Sequence, residues 1–83
     1  MAELHEECGV FGIYSPTVQP LGSLTYYGLF ALQHRGQESC GIVVSSDGLF
    51  TARKDLGLLT DVFDRESLEK YPQGNISVGH VRY

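Results

Sequence analysis

The sequence predicts a small α+β domain, and three observations carry that prediction. Two short runs, Cys8-Gly9-Val10-Phe11-Gly12-Ile13 and Cys40-Gly41-Ile42-Val43-Val44, are apolar at both side-chain parities, as strands buried on both faces are. Between them an apolar stripe recurs at helical spacing. After the second run comes Ser46-Asp47-Gly48, and Asp-Gly between apolar runs is the strongest short-range hairpin signal, which implies antiparallel pairing. In order, the elements are strand, helix, strand, strand, helix, strand. There are no repeats, no low-complexity tract and no internal domain boundary.

Each element has its own local reason. Tyr14-Ser15-Pro16-Thr17 is a loop by composition. Pro20 suits the first turn of a helix, where its missing N–H costs nothing. Leu21, Leu24, Gly28, Ala31 and Leu32, with Tyr27 beside them, give a helix over 20–35. His34 and Arg35 sit at its negative end, and Gly36 is placed as the residue that follows the cap. Residues 49–54 alternate as the returning strand of the hairpin. Thr60 or Asp61 can cap a short helix through Val62, Phe63 and Leu68, ended by Tyr71-Pro72. Gln73-Gly74-Asn75 is a turn, and 76–83 is a last strand with Ile76, Val78 and His80 on one side.

The bulk numbers bound the rest. Eighty-three residues allow one small domain at most, and 42% apolar with 19% charged residues is a globular balance, not a disordered one. The chain stops at Val81-Arg82-Tyr83, inside the last strand, which predicts a fragment of something longer. A net charge of −4 leaves no basic footprint for nucleic acid or for membranes. The acidic start is no secretory signal, and no stretch is long enough to span a bilayer. Two cysteines make neither a disulfide framework nor a zinc set. A Cys8–Cys40 bridge stays open in principle, but nothing points to an oxidising compartment, so the expected location is cytoplasmic.

Three stretches could carry chemistry. Cys8 follows an acidic stub with Glu3, Glu6 and Glu7. That stub is either a frayed end or a propeptide whose removal takes the net charge from −4 to −1. Once freed, Cys8 would carry a thiol (reference pKa about 8.5) and an α-amine (about 7.7–8.0) on one residue, a nucleophile with a built-in base. Free cysteines are also common core residues, and that reading stays beside it. Leu32-Gln33-His34-Arg35-Gly36-Gln37 is either an ordinary basic helix end or a corner on which Arg35 meets a carboxylate or a mobile loop. In Gly79-His80-Val81-Arg82-Tyr83, an arginine ending a buried strand must be paired, which hints at an anionic substrate group, unless the strand is an exposed edge. His80 invites a Cys–His dyad, but nothing in the sequence turns it toward Cys8.

Together, in this order and spacing, these stretches resemble the opening of the class II glutamine amidotransferases. More narrowly they resemble the amidophosphoribosyltransferase family, to which the Gln-His-Arg-Gly-Gln wording and the stub before the cysteine point. The resemblance implies an N-terminal nucleophile (Ntn) fold, a four-layer αββα sandwich of antiparallel sheets, with only its first elements in this chain. Residues 1–7 would be the propeptide and 8–83 the first portion of the glutaminase domain. Cys8, freed after Glu7, would attack the glutamine amide, and Arg82 would hold the substrate α-carboxylate. Tyr83 would begin the loop that closes over L-glutamine, packing against the corner of Arg35 and Gly36. Ammonia would then pass to phosphoribosylpyrophosphate (PRPP) in a missing domain, giving 5-phosphoribosylamine, the first committed step of purine synthesis. His80 receives no direct catalytic role, and Cys40 is core packing. The oxyanion-hole Asn-Gly pair, the Asp that reads the substrate amine, Mg²⁺ and a [4Fe–4S] cluster would belong to the parent, a homo-oligomer of tetramer type. This chain alone would be inactive. Two alternatives remain: a class II enzyme of the glucosamine-6-phosphate or asparagine synthetase type, and a non-catalytic α/β module with a buried Cys8.

Overall fold

A computed structural model describes residues 8–32 and 37–83. The propeptide expected over 1–7, and the helix end expected at His34, Arg35 and Gly36, lie outside the described residues. The sheet is built around β4 (Gly74–Arg82), which pairs antiparallel with β1 (Cys8–Gln19) on one side and β2 (Ser39–Ser46) on the other. β2 also pairs with β3 (Leu49–Leu56), so the order is β1-β4-β2-β3. The β2–β3 hairpin forms where Asp-Gly predicted it. Ser46 pairs with Leu49, and the two turn residues have φ of 53° (Asp47) and 82° (Gly48), the left-handed conformations a type I′ turn requires.

The structure corrects the first strand. It runs through the expected loop to Gln19, and it is an edge strand, exposed on one face, not buried on both. Its register breaks between Tyr14, opposite Ile76, and Gln19, opposite Gly74. Pro16 falls inside that irregular stretch, which is where an edge strand tolerates a residue without an N–H. The turn expected at Gln73-Gly74-Asn75 shortens for the complementary reason: Gly74 and Asn75 already belong to β4.

The helix α1 (Leu21–Leu32) packs on one face of the sheet, burying Leu21, Gly22, Thr25 and Leu29. The expected stripe was out of phase, since Leu24 and Tyr27 are 44% and 68% exposed. Almost every position of this helix is apolar or small, so periodicity identifies a helix but does not fix its buried side. Close approach fixes it: the Phe11 ring occupies the space a side chain at Gly28 would need, and the Tyr71 ring does the same at Gly22. Thr25 Oγ1 donates to Ser77 Oγ at 2.6 Å, and Ser77 Oγ donates to the Val43 carbonyl at 3.0 Å, so this buried polar pair is satisfied.

The second expected helix is two. α2 (Leu59–Val62) and α3 (Arg65–Glu69) are separated at Phe63 and Asp64. Neither Thr60 nor Asp61 caps α2, whose N-cap is Leu58. The cap that forms is downstream, where Asp64 Oδ1 accepts from the Ser67 N–H at 2.8 Å and Ser67 Oγ accepts from the Asp64 N–H at 2.9 Å. That reciprocal capping box restarts the helix and frees Phe63 to turn inward. Phe63, Leu59, Val62 and Tyr71 then join Leu29, Ile42, Val44 and Val81 in one core. Tyr71 Oη donates to the Ile42 carbonyl at 2.6 Å, which ties the end of this segment to the central strand.

The other face of the sheet carries Val10, Tyr14, Phe50, Ile76 and Val78, which are 67%, 71%, 77%, 47% and 43% exposed. The described residues thus form two layers, one helical and one of antiparallel strands, of the four the resemblance implies.

Candidate active site

The β1–β4 register determines which chemistry-bearing positions meet. Cys8 is directly opposite Arg82, and Arg82 is opposite Ser39 on its other side. Opposed residues in an antiparallel pair have Cα atoms about 4.5–5.5 Å apart. Arg82 is on an interior strand, not on an edge, yet it is exposed because it closes that strand on the uncovered face. Its backbone is held: the Arg82 carbonyl accepts from the Glu38 N–H at 2.7 Å.

Tyr83 lies at the same end of the sheet and packs against the core. Its hydroxyl donates to the Leu32 carbonyl at 2.5 Å. Leu32 is the last residue of α1, where carbonyls lack intrahelical partners, so the tyrosine satisfies one of them. Gly9, next to Cys8, lies beneath the same leucine, where an added Cβ would stand 3.3 Å from Leu32 Cβ. The start of β1, the end of β4 and the end of α1 therefore converge. Arg35 and Gly36 lie outside the described residues, but Leu32 and Gln37, which bracket residues 33–36, are both at this end of the sheet.

The His80 ring turns away from β1, the strand that carries Cys8. His80 pairs with Val10 and Gly41, and its ring leans toward β2, where an added Cβ on Gly41 would meet Nε2 at 2.8 Å. Burial, aided by the nearby Lys54 ammonium, holds its pKa below the usual 6.5, so the imidazole is neutral at pH 7. The unfolded chain takes up that proton first, so this site contributes stability above pH 6.5 that is lost as pH falls below it. The melting temperature is expected to drop from pH 7.5 to 5.5, and His80→Gln to flatten that drop. An equal slope in the variant would remove His80 as its source. Asp64, whose carboxylate accepts from Ser67, lies below its ordinary 3.8 and acts only in a more acid window.

Cys40 is fully buried, and burial pushes its thiol up to about 11, which suits core packing and not a nucleophile. The sheet also closes the question of a Cys8–Cys40 bridge. β1 and β2 are two strands apart, roughly 9–10 Å, beyond the ~7 Å Cα separation a disulfide can span. Sequence reasoning missed Gln37, buried at 4% exposure beside this site, because nothing in a glutamine's neighbours along the chain shows that it turns inward.

No family model matches the chain. Among curated proteins it is 51% identical over 78 residues to an amidophosphoribosyltransferase of Mycobacterium tuberculosis, a match covering 94% of this chain and 14% of the relative. Among solved structures it matches the allosteric regulatory enzyme of purine biosynthesis with a TM-score of 0.73 at 49% identity, over 89% of this chain and 15% of that one. It matches glutamine PRPP amidotransferase from Bacillus subtilis, complexed with ADP and GMP, with a TM-score of 0.72 at 49% identity, over 89% and 16%. The chain spans about one seventh of the length of these relatives.

Proposed function

We propose, from the homology of this chain to the amidophosphoribosyltransferases over 94% of its residues, that it supplies the glutamine-splitting centre of such an enzyme. The observation that carries the proposal is the pairing of Cys8 with Arg82 at the end of the sheet where Tyr83 meets Leu32. Glutamine presents a carboxamide and an α-carboxylate at the two ends of a short chain. A thiol and a guanidinium from directly opposed positions can engage both.

Cleavage after Glu7 would free the Cys8 α-amine. That amine takes the thiol proton as sulfur attacks the amide carbon, then returns a proton to the departing ammonia. The γ-glutamyl thioester left on Cys8 is hydrolysed by water to glutamate. Arg82 binds the substrate α-carboxylate with two parallel N–H donors, a geometry lysine cannot reproduce. Tyr83 begins the closing loop, and Arg35 and Gly36 are assigned to the same glutamine site. Ammonia displaces pyrophosphate from PRPP in the remainder of the enzyme, giving 5-phosphoribosylamine.

Among the described residues no three His, Cys, Asp or Glu side chains converge on a metal position. No helix among the described residues is long and apolar enough to cross a membrane. We place the parent enzyme in the cytoplasm as a homo-oligomer, a tetramer. The test is the full-length protein given glutamine, PRPP and Mg²⁺. Equal yields of glutamate and pyrophosphate are expected. Glutamate without pyrophosphate would indicate another acceptor, and neither product would leave a non-catalytic module.

A further inference from the structure

We propose that Gln37 is a positioning residue for the glutamine site, an inference that rests on reading this segment as glutamine-binding. Gln37 is 4% exposed, and its carboxamide makes three hydrogen bonds. Nε2 donates to the Ser39 carbonyl at 2.9 Å and to the Gly57 carbonyl at 2.7 Å, and Oε1 accepts from the Leu59 N–H at 2.8 Å. Both amide protons and one lone pair are therefore in use.

The partners show what the side chain is for. Leu59 opens α2, whose N-cap Leu58 offers no side-chain acceptor, so Gln37 supplies from a distant part of the chain the cap this helix lacks. Gly57 has φ of +126°, a conformation reserved for glycine, and its peptide is gripped at both ends. Its carbonyl accepts from Gln37, and its N–H donates to the Glu38 carbonyl at 2.6 Å. The Glu38 N–H in turn donates to the Arg82 carbonyl at 2.7 Å. Residues 37 and 38 thus fasten the β3–α2 connection to the strand end that carries Arg82.

Gln37 also follows Arg35 and Gly36 directly in the chain. The Leu32 carbonyl, held by Tyr83 Oη, and Gln37, held by three bonds, are both fixed at the end of the sheet that carries Arg82. Arg82 must meet the substrate carboxylate from a fixed strand end, because small misplacements of binding groups are costly. Gln37 touches neither substrate nor reacting atoms in this account. It acts through Arg82.

The experiment uses the full-length enzyme. Gln37→Met keeps the length and apolar bulk and removes all three bonds. It is expected to raise KM for glutamine about tenfold or more, while the rate with ammonium chloride replacing glutamine stays within about twofold. Gln37→Glu, which retains an acceptor for Leu59 but loses both donors, is expected to shift KM in the same direction. Gly57→Ala strains the same link from its other end, leaves Gln37 in place, and is expected to raise KM likewise, so the link is tested even where Gln37→Met fails to fold. An unchanged glutamine KM in the folded Gln37→Met or Gly57→Ala protein would overturn the proposal. So would a parallel fall of both the glutamine and the ammonia rates, which marks a merely structural role. A wild-type enzyme that does not use glutamine would instead overturn the reading on which the proposal rests.

Discussion

Replacing Cys8 with alanine is expected to lower the glutamine-dependent rate of the full-length enzyme by about 10⁴-fold or more, because the covalent route through the thioester disappears. The same variant given ammonium chloride in place of glutamine is expected to keep its rate within about twofold, since transfer to PRPP needs no thiol. Only this pair of results identifies a nucleophile. A joint loss of both activities would mean that position 8 supports the fold, which its register opposite Arg82 on an edge strand argues against. Cys40 gives the contrast within the same chain. Its thiol is fully buried and raised to about 11, so Cys40→Ala is a packing change and leaves glutamine use intact in whatever protein folds.

Arg82→Ala has the second largest expected effect. Two charge-assisted hydrogen bonds to the substrate carboxylate together contribute about 3 kcal/mol, so kcat/KM for glutamine is expected to fall about 10²-fold. Arg82→Lys is expected to lie between, because it keeps the charge and loses the fork. Arg82 is exposed and its backbone partner is the Glu38 N–H, which no side-chain change removes, so the folded state should tolerate both variants. Equal glutamine KM in wild type and Arg82→Ala would assign the carboxylate to another residue.

What the sequence could show follows from the range of the signals. The Asp47-Gly48 hairpin was legible because two consecutive left-handed residues admit few side chains. The β2 and β4 runs were legible because both strands turn apolar side chains into the core beneath the helices, Cys40, Ile42 and Val44 from β2 and Val81 from β4. Three things were not. The phase of α1 depends on which glycines face the Phe11 and Tyr71 rings, and those rings are distant along the chain. The edge position of β1 depends on β4 coming between it and β2, a topological fact with no local residue signature. The break between α2 and α3 was recoverable in principle from Asp64 and Ser67, spaced as a capping box, but the competing Thr60 and Asp61 lay nearer the expected start. Among the site residues, the motifs marked Cys8, Arg82 and Tyr83, and the sheet register is what sets Cys8 beside Arg82. Gln37 was invisible for the opposite reason, being a polar residue whose burial depends on the distant Gly57 and Leu59 backbone as well as on nearby Ser39.

The central claim is that Cys8 works as the first residue of a mature chain. The measurement that tests it most directly is the intact mass and N-terminal sequence of the full-length protein expressed from Met1. Loss of residues 1–7, leaving Cys8 with a free α-amine, is the result predicted here. A protein that uses glutamine while its α-amine at position 8 remains locked in a peptide bond to Glu7 would contradict it.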